Sequence, residues 1–497
     1  MSPSHHPSPT ILLPHLPPKT LVGIDLIAFS STANFHGIRD LPSGWHFLYT
    51  GTTDSFSLRC GAWFHVGDIS HAGKGDSEAA LVLAQAQQPA PTPEILIWKW
   101  STESESLCCL AANSDADRQE AMRYKANLGA LWQSGGLFRY RSRVSSAMLS
   151  NKPGSAPIEA RHTEEDEEIE RDGRKDWRQL TNRLSSEVLS RIVGSPEKDV
   201  DGHPRWMVTS GSTANRDADH IPGVDSPVTT EEEGGGGGGG QTGTIKTIER
   251  EKEFNFLPID LKRTWREGAI GRERTEAAQD KSWALGDIVL KNSSHVSGEI
   301  TVDESTGEAQ LLGEIQFTFL MVLTMMNFSC LQQWKRLLEL VLTSRRAIIE
   351  RESFVSEVVR ILLRQLQRCD DVEGGLFEMD GDEGGEFIRN LLTKLRRSID
   401  DMVPKGTKSM VRTELDKLQT WVKEEYDWEL NRESIVRRGM LQLEDGEEVE
   451  MEMADNDADE ETGEYAPMVV DLGEHNTLLD EQRLDHDDAS DLDDARY

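Results

Sequence analysis

Cysteine is scarce and unpaired: Cys60, Cys108, Cys109, Cys330 and Cys369 form no CxxC and are odd in number, so the chain writes neither a disulfide framework nor a zinc ribbon. A charged-then-apolar leader is also lacking, because Pro and His dominate the opening residues, and an intracellular, reducing compartment is the expectation. The longest apolar stretch, 315–331, holds Gln316, Thr318, Thr324, Asn327 and Ser329 and falls short of the roughly 20 residues of a membrane span. Positive charge is in deficit, with 54 Lys and Arg against 88 Asp and Glu for a net charge of −34. From Glu444 onward 22 acids face only Arg483 and Arg496, so the tail carries −20 and the remainder −14. Affinity for nucleic acid comes largely from cations that neutralise phosphates, which argues against direct RNA binding.

Catalytic motifs are missing as well. The chain has no GxSxG elbow, no P-loop and no HExxH. The glycine run 234–240 lacks a following Lys-Ser/Thr pair, and acid runs such as 164–168 and 455–461 read as solvated faces rather than tuned acid and base pairs. His46, His65 and Cys60 fall in one strand-rich region and are the residues on which a metal-dependent hydrolase would have to rest. They lack a recurrent zinc-ligand spacing, so strand histidines bonded to backbone are the preferred reading. Adjacent Cys108 and Cys109 point to opposite faces if extended and cannot readily share an ion; one buried and one half exposed is expected. No catalytic, cofactor or metal residue is assigned.

What the chain does have is organisation. A length of 497 residues exceeds the roughly 250 to 300 at which one core stops growing, so two domains are expected. Short apolar runs bounded by turn residues predict strands over 10–13, 45–49, 56–66 and 95–100, with 70–93 as a long hairpin connection. Helical spacing follows at 117–132 and again where Leu180, Leu184, Val188 and Ile192 step at about 3.6 residues. From 311 to 430 amphipathic helices succeed one another. The first, 311–342, is apolar nearly all round and should be central; stripes such as Phe354, Val358, Ile361 and Leu362 mark the next ones.

The expected fold class is α+β, with a β-rich N-terminal domain and flanking helices over 1–207 and an all-α domain over 253–443. Between them lies a disordered Gly-rich linker, 208–252, and an acidic tail occupies 444–497. Composition marks 141–172, 210–243 and 444–464 as flexible. Inside the tail, 465–472 is an apolar, strand-like island.

Several segments then carry a resemblance. Gly23-Ile24-Asp25, Phe35-His36-Gly37, and Ile38 to Phe47 with Pro42, Gly44 and His46 resemble the opening signature of the A1 cistron-splicing factor family. Trp98-Lys99-Trp100, Met122-Arg123 with Asn127-Leu128, and Trp177 with Leu180-Thr181 continue it. Leu257-Pro258, Thr275 and Asp280-Lys281-Ser282 are similar to the family's junction. Glu314, Gln316, Phe317, Phe319 and Trp334-Lys335-Arg336, then Gln365-Leu366, Phe377, Phe387-Ile388, Trp421 and Trp428, resemble its helical half.

The resemblance implies a non-catalytic assembly factor of the U-five small nuclear ribonucleoprotein, found in cytoplasm and nucleus and without cofactor. It would bind the large spliceosomal scaffold protein across its RNase-H-like and Jab/MPN-like domains and hold off the helicase and RNA. The island Tyr465, Ala466, Pro467, Met468, Val469, Val470, Asp471 and Leu472 is similar to the family's C-terminal Ala-Pro-x-Val-Val segment and implies strand addition to that partner. A general helical adaptor is the other reading of the C-terminal half, although no fixed repeat period is visible there.

Overall fold

Apolar residues in the first hundred positions are β-branched or aromatic and come in short runs, which suits half-buried or fully buried strands. A computed structural model describes residues 8–52, 58–67, 69, 94–142, 164–214, 253–295, 302–369, 376, 385–404, 406–430, 436–442 and 448–454. The strands are β1 (Thr10–Leu12), β2 (Leu21–Ile24), β3 (Ile27–Ser30), β4 (Gly37–Arg39), β5 (Gly44–Gly51), β6 (Arg59–Val66), β7 (Ile95–Ser101), β8 (Ser106–Cys109) and β9 (Leu137–Arg139). Later come β10 (Glu197–Lys198) and β11 (Pro204–Thr209). They form a sheet of order β8-β7-β1-β4-β9 and a second of order β10-β11-β6-β5-β2-β3. Because β6 and β7 fall in different sheets, 70–93 is not a hairpin connection; all of it lies outside the described residues.

The two sheets pack face to face around Ile11, Val22, Ile38, Leu48, Phe64 and Trp98. On β5 the alternate residues Trp45, Phe47 and Tyr49 turn the other way, into a second cluster with helices. Both faces of this strand are therefore covered, which is why 45–49 reads as a continuous apolar run.

Helices follow the strands in the order the spacing predicts, with breaks it did not foresee. α1 (Asp115–Gln133) starts at Ser114, whose side chain accepts the Asp117 N–H, and covers the outer face of the first sheet with Ala121 and Leu128. The stripe from Leu180 to Ile192 is divided between α2 (Glu164–Thr181) and α3 (Ser186–Val193), because Ser185 caps a new start by accepting the Val188 N–H. Since α2 begins at Glu164, the last third of the segment expected to be flexible, 141–172, is helical. The linker likewise starts later than expected: Ser212 and Ala214 are buried, and Ala214 bridges to Phe254.

Beyond the linker come α4 (Arg272–Gln279), α5 (Ser282–Lys291), the short pair β12 (Ser294–His295) and β13 (Val302–Asp303), then α6 (Glu304–Met325) and α7 (Phe328–Leu342). The expected single helix 311–342 is thus two. Met326 adopts a left-handed φ of 54° and Asn327 caps α7 by accepting the Cys330 N–H. α8 (Ala347–Glu350), α9 (Glu352–Leu366), α10 (Glu386–Met402) and α11 (Met410–Tyr426) complete the helical half. α6 is the central helix, with buried residues on every side.

Phe47 and Trp63 of the second sheet, Trp177 and Val188 of α2 and α3, Phe254, Phe317 and the helices through Leu430 belong to one hydrophobic cluster. The chain up to Asn431 is one compact unit, so the boundary expected at 208–252 marks connectivity rather than a division between two cores. A separate unit from Arg432 holds the hairpin β14 (Val436–Gln442) and β15 (Glu448–Ala454), registered from Val436↔Ala454 to Gln442↔Glu448. This corrects two expectations: 436–442 is strand rather than part of the helical domain, and 448–454 is strand rather than flexible tail. No helix among the described residues is long and apolar enough to cross a membrane.

Candidate partner-binding surface

The residues assigned in the sequence to partner binding, Tyr465 to Leu472, lie outside the described residues. The opening signature is described, and its buried polar members, Asp25 and His46, serve the sandwich itself. Asp25 occupies a left-handed turn (φ 55°) between β2 and β3. Its carboxylate accepts His46 Nδ1 at 2.8 Å, the Tyr140 hydroxyl at 2.6 Å and the Phe47 N–H at 2.9 Å. His46 Nε2 lies 2.8 Å from the Pro42 carbonyl, so both ring nitrogens face acceptors. Burial alone would lower the His46 pKa, but the Asp25 charge and hydrogen bond and the Pro42 carbonyl outweigh it, and the net direction is upward. Gly23 is required by packing: a Cβ there would stand 1.9 Å from the Tyr49 ring.

The residues of a metal-dependent hydrolase do not converge. His46 and Phe64 are cross-strand neighbours, whereas His65 pairs with Trp45 on the opposite face, and Cys60 pairs with Thr50 at the far end of the same ladder. His65 Nδ1 makes a 3.2 Å contact with the Gly67 carbonyl. Cys108 is exposed and Cys109 half-buried, rather than one buried and one half exposed, and burial pushes the Cys109 thiol up. Among the described residues one cluster has metal-ligand proximity, Asp199, Asp201 and His203. It is occupied by internal bonds. Asp199 accepts the amides of Asp201 and His203 and pairs with the His203 ring, and Lys125 holds Asp201 at 2.6 Å.

The helical signatures account for the junction of sheet and helices. Glu314, fully buried on α6, accepts the Leu257 N–H at 3.1 Å, Gln333 Nε2 at 2.7 Å and Arg191 Nη1 at 2.7 Å. Burial raises its carboxyl pKa against the pull of Arg191, Gln333 and the Leu257 amide. Two residues on, Gln316 accepts the Arg183 N–H and donates to the Gln179 carbonyl and to Asn182. Trp334 donates to Gln365 at 2.9 Å, and Gln365 donates to the Ile315 carbonyl at 3.0 Å. In the junction motif Asp280 accepts the amides of Ser282 and Arg345, Lys281 pairs with Glu339, and Ser282 accepts the Ala347 N–H. Apart from the local bond between Asp280 and Ser282, none of these was legible from spacing, because the others join residues far apart in the chain.

An open groove of about 760 Å³ lies beside that junction, lined by Trp265, Ala269, Ala277, Trp283 and Met402 together with Arg266, Arg345 and Arg346. α4, one of its walls, has no buried residue. Glu273, Glu276 and Asp280 also line it, and Arg266 pairs with Glu273, Arg345 with Asp401 and Arg346 with Asp280, so its guanidinium groups are matched by acids of the chain itself. The sequence reading missed this surface, although Trp265 and Trp283 in an otherwise polar stretch were the available signal.

Two family descriptions match the chain: AAR2 N-terminal domain over residues 7–194 and AAR2 C-terminal repeat region over residues 256–431. Between them they take in β1 to β9, α1 to α3 and the whole succession α4 to α11, leaving out β10 and β11, the glycine run and the tail. The second half carries the description of a repeat region although no residue period is visible in it. With both halves matched in order, and with their signature residues joined in one core, the chain belongs to the AAR2 splicing-factor family of U5 small nuclear ribonucleoprotein assembly factors, the A1 cistron-splicing factors that its sequence resembles.

Proposed function

We propose that this assembly factor works by binding and not by catalysis. It engages the large spliceosomal scaffold protein across the RNase-H-like and Jab/MPN-like domains during U5 particle maturation, and while bound it keeps the helicase and RNA away. The observation that carries this reading is family membership over both halves of the chain. Charge supports it: a net of −34 suits occupation of a basic, RNA-binding surface on a partner and disfavours direct RNA contact. The polar groups that could have formed an acid–base site, Asp25, His46 and Tyr140, are buried and bonded to one another. Work in both cytoplasm and nucleus belongs to the same proposal.

Within the tail, 465–472 adds a strand to the scaffold protein, with Met468 and Val470 pointing one way and Val469 the other. The test is a pull-down from nuclear and cytoplasmic extract at gentle salt, followed by titration of purified scaffold protein. Recovery of the scaffold from either fraction is expected, and its absence from both would overturn the reading. Val469→Pro removes an N–H donor and should weaken the complex while leaving the melting temperature of the free protein intact. Unchanged affinity would take this strand out of the interface.

A further inference from the structure

On this acidic chain the ion pairs linking α2, α9 and α11 are layered by sign. Arg183, two residues past α2, reaches Glu357 of α9 at 3.0 Å. Arg360 also bonds Glu357 and lies 3.4 Å from Glu414 of α11, which Lys417 holds at 2.9 Å. The carboxylates lie underneath: the side chains of Glu357 and Glu414 are 12% and 11% exposed, against 28%, 49% and 57% for Arg183, Arg360 and Lys417. Solvent therefore meets cations. Lys175 and Arg178 on the outer face of α2 are exposed and make no ion pair among the described residues, and Arg364 of α9 donates to Gln367 rather than to an acid. The reversed pair, Asp176 with Arg368, falls between Lys175 and Arg178 and is matched within itself, and exposed Asp172 lies one turn before Asp176.

We propose that this cationic seam docks a short acidic segment of a partner protein. Exposed charges further apart than about 10 Å are largely screened at 0.1 M salt, so a short acidic segment feels only the seam. A long polyanion such as RNA must also run over the surrounding surface of a chain whose net charge is −34. The seam stands on the layering of these pairs alone and does not rest on the scaffold-binding reading.

The test uses full-length protein and two fluorescent probes, a peptide of alternating Asp and Glu and an oligouridylate of equal charge, followed by anisotropy over a salt series. Saturable peptide binding that weakens with salt is expected. The Lys175→Glu/Arg178→Glu double variant should lose affinity severalfold, because each reversal removes one attraction and adds one repulsion. If that variant melts early, Lys175→Gln/Arg178→Gln repeats the measurement with charge removal alone. Peptide binding that does not saturate, or that is equal in wild type and variants, overturns the proposal. Tighter binding of oligouridylate, lost on the same substitutions, also overturns it and makes the seam an RNA surface.

Discussion

Trp177 on α2 donates its indole N–H to the Trp45 carbonyl at 2.7 Å, while Trp45 donates its own to the Leu184 carbonyl at 3.0 Å. Sheet and helices are thereby tied in both directions, each indole satisfying a backbone acceptor in the other layer. Glu314 does the same for the segment that re-enters after the linker, and together these bonds predict that the two halves unfold as one.

Glu314→Ala should cost about 3 to 5 kcal/mol, because it strands the Arg191 guanidinium and the Leu257 amide without their acceptor. Glu314→Gln, which keeps the shape but not the charge, should cost less. Urea unfolding followed by tryptophan fluorescence and by far-UV circular dichroism checks both. The two signals should shift together, and a variant in which they separate would show that the halves unfold independently.

The pair of Asp25 with His46 makes stability depend on pH with a definite sign. The folded His46 pKa lies above its ordinary value of 6.5, so between that value and the folded pKa the native state binds more protons than the unfolded one. Its contribution is fully present below 6.5 and is lost as pH rises through the folded pKa. Melting temperatures measured across this window should fall for wild type relative to His46→Gln. Parallel curves would show that folding leaves the His46 pKa unshifted. The same geometry leaves no free ring nitrogen on His46 for a metal, so metal analysis of purified protein should give zinc far below one equivalent.

A deletion pair tests where the linker begins. Replacing residues 215–252 with a short Gly-Ser linker should leave the melting temperature nearly unchanged, since loop length costs only about 0.6 kcal/mol per doubling. Extending the deletion back to Ser210 should lower it. Asn327 donates to the carbonyls of Ser210 and Ser212, and the Ser210 hydroxyl accepts the Arg59 N–H. Equal melting temperatures for the two deletions would count against this anchoring.

Local pattern revealed much of the fold. The strands from Thr10 to Ser101 and the stripes of α9, α10 and α11 follow from period and turn residues, because each such face has to be buried somewhere. Helix breaks were less visible: Asn327 inside an apolar run and Ser185 inside a continuing stripe are capping signals that the surrounding spacing masked. In β15 the alternation of Glu448, Glu450 and Glu452 with Val449, Met451 and Met453 was hidden by acidic composition. The single core could not be read from spacing at all, yet Trp45, Phe47 and Tyr49 interleaved with Leu48 already said that β5 is covered on two sides. As for sites, strand histidines bonded to backbone were the preferred reading, and His46 does meet the Pro42 carbonyl, but its bonds with Asp25 and through it Tyr140 could not be read from spacing.

The stacking of Trp63 on Trp177 and against Phe317 sets an order of events during synthesis. At roughly 5 to 20 residues per second, α6 leaves the ribosome on the order of ten to fifty seconds after β6, about 250 residues later. Throughout that interval the sheet face bearing Phe47, Trp63 and Trp206 has no helical cover from the second half of the chain. Contacts of such long sequence separation also slow spontaneous refolding, since loop closure must precede the burial that rewards it. Truncations that end before α6 should leave that face uncovered and aggregate instead of yielding a smaller working domain.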